Sequence, residues 1–235
     1  MKLQYLMAVT MAVGVAGMAG PAGAATITDC GPTVCYRYDN AQTAVAWTGL
    51  PTRVGDDMQF FPASFLALSN GTGFATAGPA NFIFDRVWTT GGQEIASLAV
   101  NEEFDYEIVN GGNVRASLYM QARSNHVSSD GISQLWNLAT ISGDSGGAQI
   151  ASLGGTLLPA ASFVQKADDM TVSIQDTLRA YAASGQLAWI QKKFTLVTQV
   201  VVPAFRADPR AGRCGARGAR GVQVAGDLAS GAADS

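Results

Sequence analysis

The run Asp169–Leu178, "DMTVSIQDTL", sets Met170, Val172 and Ile174 in alternation with Thr171, Ser173 and Gln175. Only an extended strand gathers every second side chain onto one face. The same period runs through "EFDYEIV", with Phe104, Tyr106 and Ile108 opposed to Asp105 and Glu107. In "NVRASLYMQ" it puts Val114, Ala116, Leu118 and Met120 together. Between these two segments, Asn110-Gly111-Gly112 is a tight hairpin signal. Further strands are predicted in "TAVAW", "DDMQFF", "SFLALS", "NFIFDRVW", "EIASLAV" and "AWIQKKFTLVTQVVV", with turns at "SNGTG" and "TTGGQ". About ten short strands at this spacing predict an all-β antiparallel β-sandwich of jelly-roll-like topology, with a barrel as the alternative. The segment "ISQLWNLA" reads as a strand or a single helical turn, and the glycines after it as a mobile surface loop.

Few charges and many turn glycines suit such a fold better than a helical bundle. Charged residues are 14 % of the chain and the net charge is −3, which gives no electrostatic ground for a nucleic-acid partner. The N-terminus is different in kind. Met1-Lys2 precedes an uncharged Ala/Val/Met/Gly-rich run that closes in Pro21-Ala22-Gly23-Ala24-Ala25. This predicts a signal peptide over residues 1–24, a short helix cut near Ala24, rather than a membrane anchor. Export to the periplasm, cell surface or medium follows, and with it an oxidising environment. There Cys30 and Cys35 of "CGPTVC", with Gly31-Pro32 as the turn, are expected to form a disulfide. This cysteine pair, with no second pair and a single histidine in the chain, makes a poor zinc site, and no metal is expected.

"GDSGG", residues 143–147, spells the nucleophile loop of trypsin-like proteases. Such a serine needs a histidine to take its proton and an aspartate to orient that histidine. The one histidine, His126, lies just upstream in "SNHV", not in the family's distant histidine motif, and Ala148 stands where proline is usual. Roughly 180 residues are also too few for two protease barrels. Ser145 is therefore expected to be a turn residue and the chain not an enzyme, with a serine hydrolase at Ser145 the distant alternative. The acidic group Glu102, Glu103 and Asp105 and the aromatic Trp136 are the weak binding candidates, for calcium or carbohydrate. Trp47, Trp88 and Trp189, within apolar runs, are expected in the core. No phosphate-binding glycine loop is present, and no cofactor is expected.

At "WIQKKFTLVTQVVVP" the chain resembles exported bacterial proteins of the PEP-CTERM and VPLPA-CTERM class, as it does at "DRVWTTGGQEIASLAVNEEFDYEIVNGGNVRASLYMQA". The likeness covers most of residues 26–203. It implies a non-enzymatic cell-envelope or extracellular-matrix protein handled by an exosortase-type sorting enzyme and associated with exopolysaccharide. It also makes Val202-Pro203 the candidate sorting junction. The family pattern then requires a hydrophobic helix and a basic cluster. Residues 204–235 instead carry Arg206, Arg210, Arg213, Arg217 and Arg220 in Ala/Gly-rich sequence, which cannot form a membrane span. A frameshift near residue 203, with Cys214 its by-product, is one reading; a genuine disordered basic tail is the other. The expected domain is thus residues 25–203.

Overall fold

A computed structural model of the chain describes residues 24–203. All but the last residue of the expected signal peptide 1–24, and the Arg/Gly/Ala-rich tail with Cys214, lie outside the described residues. Among the described residues there are thirteen strands: β1 (Thr26–Cys30), β2 (Val34–Asp39), β3 (Thr52–Val54), β4 (Asp57–Phe60), β5 (Leu66–Asn70), β6 (Gly73–Thr89), β7 (Glu94–Val109), β8 (Asn113–Ser124), β9 (Gly131–Asn137), β10 (Ile141–Ser142), β11 (Gln149–Leu157), β12 (Asp169–Ala182) and β13 (Leu187–Val202). Two single helical turns, α1 (Val45–Thr48) and α2 (Pro159–Ser162), complete the described chain. The predicted strand "TAVAW" is thus a correction: its second half is the turn α1. "ISQLWN" lies in the strand β9, and "EIASLAV" and "EFDYEIV" are one continuous strand, β7.

The strands form two antiparallel sheets. The first runs β1-β2-β6-β12-β8-β10, with β9 on the same edge of β8 as β10. The second runs β11-β7-β13-β4-β3, with β5 also on β13. The fold is an antiparallel β-sandwich. Alternation decides what lies between the sheets: Met170, Val172, Ile174, Leu178 and Ala180 of β12 face Leu98, Val100, Phe104 and Ile108 of β7, and all are buried. At the centre Phe84 packs on Tyr36, Tyr38, Phe60 and Phe82 with ring centroids 5.0–6.2 Å apart.

The glycine signals mark crossings rather than hairpins. Asn110-Gly111-Gly112 joins β7 in the second sheet to β8 in the first, and the two strands do not pair. All three residues have positive φ, 59°, 101° and 116°. "SNGTG" and "TTGGQ" likewise lead from one sheet to the other. A local turn signal dictates reversal of the chain only. Which strands then pair is decided by long partners, here β13 along nearly all of β7 and β12 along nearly all of β8. Gly112 is bound to this crossing, since a Cβ there would lie 2.5 Å from the Tyr181 carbonyl oxygen. Gly112→Ala is expected to destabilise the domain by about 2–3 kcal/mol through backbone strain and that contact. Urea unfolding measures it; an unchanged midpoint would mean that position 112 is not pressed against the Tyr181 carbonyl.

The long strand β13 changes partner partway. Its first half, Leu187–Gln191, pairs with β5, and Thr195–Val197 pairs with β4. The switch coincides with a bulge against β7 between Lys192 and Phe194. One extra residue there resets the phase, so Ala188, Ile190 and Lys192 face inward before the bulge, and Thr195 and Val197 after it.

Candidate functional site

Cys30 and Cys35 are register partners in the β1–β2 hairpin and are joined by a disulfide. The Gly31 N–H donates to the Val34 carbonyl across the turn, 2.8 Å. Asp56, between β3 and β4 of the other sheet, accepts from the Thr33 and Val34 N–H groups and from the Thr33 hydroxyl. Burial alone would raise the Asp56 carboxyl, but these bonds and Arg53 outweigh it and hold it below its ordinary value. The disulfide loop thus ties one end of the first sheet to the edge of the second. A Cys30→Ser/Cys35→Ser variant is expected to lose about 2 kcal/mol, the chain entropy of so small a loop. Calorimetry under oxidising conditions measures this, and an unchanged melting temperature would show that the hairpin needs no covalent closure.

Ser145 lies in the loop between β10 and β11. Its N–H donates to the Ile108 carbonyl at 2.9 Å, its Oγ accepts from the Ile108 N–H at 3.0 Å, and its hydroxyl lies 2.7 Å from the Gly147 carbonyl oxygen. These contacts pin the loop to the end of β7. His126 has a different neighbourhood, with Nε2 2.7 Å from Asp168 Oδ1. Lys166 reaches the same carboxylate at 3.0 Å. Beside it, Asp169 accepts from Arg86 and Asn125. Burial opposes ionisation of Asp168, but Lys166 and His126 outweigh it and keep the carboxyl below its ordinary range. The group is a polar clasp at the start of β12, joining β6, the end of β8 and the segment before β12.

The other candidates separate. Trp136 is half-buried and packs against the core; a Cβ on Gly155 would lie 2.0 Å from its ring, so the indole rests directly on the β11 backbone. Glu103 is exposed, and Asp105 pairs with Lys193 at 3.3 Å. Val202 closes β13 and Pro203 follows it, exposed. Three tryptophans correct the expectation of a core position. Trp47 is at the surface, Trp88 lies under the Arg86 guanidinium, and Trp189 turns to the outer face, where its Nε1 donates to Glu107. The reason is phase: Ala188 and Ile190 take the inward positions that Trp189 does not.

Glu102 does not share a surface with Glu103 and Asp105. It is 1 % exposed, in phase with Phe104, and points between the sheets. There it meets two other charges. Lys192 Nζ donates to Glu102 Oε1 and to Asp176 Oδ2, and Lys192 and Asp176 are themselves buried. Glu102 and Lys192 come from β7 and β13 of the second sheet, Asp176 from β12 of the first. The Thr195 hydroxyl stands 3.5 Å from Glu102 Oε1. Thr48, Phe60, Phe82 and Ile174 surround the group beside a void of about 10 Å³, room for one water at most.

Electrostatics fixes the protonation of this triad. Burial first, and then the adjoining Asp176, push the Glu102 carboxyl up to about 8 against the pull of Lys192. Burial alone would strip the Lys192 proton, but Asp176 and Glu102 outweigh it and hold the ammonium above its ordinary value. One ammonium, one carboxylate and one carboxylic acid together carry no net charge, the least costly state in a dry interior. Glu102 Oε2 and Asp176 Oδ1 accept no hydrogen bond from any described residue. Lys192 Nζ touches both carboxyl groups at once and so holds them beside each other.

Among the described residues, no three of His, Cys, Asp and Glu converge as metal ligands, and no helix is long and apolar enough to cross a membrane. No protein-family model matches the chain, and no curated protein sequence matches it.

Proposed function

We propose that the chain is a non-enzymatic exported protein of the cell envelope or extracellular matrix, of the exosortase-sorted type, with Val202-Pro203 at its sorting junction. The observation that carries this reading is the Cys30–Cys35 disulfide immediately after the signal-like segment, since such a bond is stable in an oxidising compartment. A disulfide-closed sandwich presents two broad strand faces and suits a structural or adhesive role. The partners this reading assigns are a sorting enzyme that acts at the C-terminal junction and the exopolysaccharide with which such proteins are deposited.

The test is expression of the full chain in a Gram-negative host, followed by fractionation and mass analysis. The reading expects a chain that starts near Ala25, lies outside the cytoplasm and has Cys30 and Cys35 oxidised. An uncleaved cytoplasmic chain with both thiols free would overturn it. Resequencing the gene across codon 203 addresses the junction: an alternative frame that encodes an apolar run followed by arginines supports sorting, and its absence removes the frameshift.

A further inference from the structure

The buried triad has more charge than a structural role calls for. Ion pairs in a dry core stabilise no better than well-packed apolar side chains of the same size. Here an amine, its carboxylate partner and a second carboxyl meet at one point between the sheets. Two carboxyl oxygens there accept no hydrogen bond from the described residues. Phe60, Phe82 and Ile174 shield the site from solvent. The arrangement makes sense if these groups react with one another.

We propose that Lys192 and Asp176 condense into an intramolecular amide, an isopeptide cross-link between the two sheets, with Glu102 relaying the protons. Glu102, the protonated carboxyl of the group, first delivers its proton to the Asp176 carboxyl and then takes one from the Lys192 ammonium. The freed Nζ lone pair attacks Asp176 Cγ. The new Nζ–Cγ bond forms and one Cγ–O bond breaks. The departing oxygen carries the proton from Glu102, takes one more from the nitrogen and leaves as water. Glu102 ends as it began, and nothing is oxidised or reduced.

Amide formation from an ammonium and a carboxylate is unfavourable in dilute aqueous solution. Two features of the site reverse that. The reacting groups are already in contact, and well-oriented intramolecular pairs reach effective molarities of about 10⁵–10⁸ M. The apolar shell also excludes the water that would hydrolyse the product. The reaction needs the folded sandwich, because Asp176 belongs to one sheet and Lys192 and Glu102 to the other. The inference is independent of the envelope-protein reading, since it rests on the core alone.

Intact mass of the full chain, folded and then denatured with its cysteines reduced, is the first measurement. The protein is expected to be lighter than its sequence by one water. Proteolysis and tandem mass spectrometry should give a branched peptide that joins Lys192 to Asp176. The Lys192→Met variant should show the full mass. Glu102→Gln, which keeps the shape and removes the proton relay, should retain the strand-rich fold and form the link much more slowly or not at all. Full mass in the wild-type protein after prolonged incubation would overturn the proposal. So would a missing water that maps to a cyclic imide at Asp176 or to any other residue. A link that forms at the wild-type rate in Glu102→Gln would overturn the role given to Glu102. If the variants fail to fold, the wild-type peptide map decides by itself.

Discussion

Lys192→Ala is expected to destabilise the domain by at least about 3–5 kcal/mol, the cost of leaving buried charge without its partner. The side chain is 1 % exposed and is the only cation in contact with Glu102 and Asp176 among the described residues. Without it, two carboxyl groups face each other in an apolar shell. At least one must take up a proton to fold, and the unfolded chain has no such need. The sign of the pH dependence follows. A carboxyl whose folded value is raised binds protons in the native state at pH values where the unfolded chain has released them, so stability falls as pH rises through that interval. For Glu102 it extends from the ordinary glutamate range to about 8 even with Lys192 present. In Lys192→Ala the deficit should therefore widen from mildly acidic to mildly basic pH. Urea titration across that range measures it, and a small, pH-independent loss would place Lys192 in solvent.

Phe84→Ala is expected to cost about 3–5 kcal/mol, the usual penalty for removing a large aromatic side chain from a packed core. Phe84 is fully buried and contacts four other rings contributed by both sheets. A cavity at that point loses contacts on all sides, and the rings around it are too stiff to collapse into it. Ile150, 73 % exposed, is the control: Ile150→Thr should stay within about 0.5 kcal/mol of the parent. Denaturant unfolding with near-ultraviolet dichroism reads both. A loss below about 1 kcal/mol at Phe84 would show that the aromatic cluster is not the centre of the core.

The alternation legible in "DMTVSIQDTL" is what the folded chain uses, and the inward positions of Met170, Val172 and Ile174 follow from it directly. The same phase, carried two residues further, puts Asp176 on that inward face. Glu102, two residues before Phe104, is placed inward by the same count. Each charge in phase with apolar neighbours was a readable signal for the buried site, and grouping the acids by proximity along the chain obscured it. Lys192 was less legible. It shares its phase with Ala188 and Ile190, but the bulge after it breaks the register, and Lys193 beside it does face solvent. Glycine-rich turns such as Asn110-Gly111-Gly112 showed where the chain reverses. They held no information on whether it returns in the same sheet, because pairing is settled by residues far away along the chain. The disulfide was legible because both cysteines and their turn are local.

A double-mutant cycle between Lys192→Met and Asp176→Leu tests most directly whether these residues meet in the core. Each single change is predicted to be costly and the double change to recover much of the loss, with a coupling of about 2–3 kcal/mol or more; a double variant that folds where either single variant fails meets the same expectation. Effects that simply add, to within about 0.5 kcal/mol, would mean that the two side chains do not touch, and the placement of β12 against β13 would then be wrong.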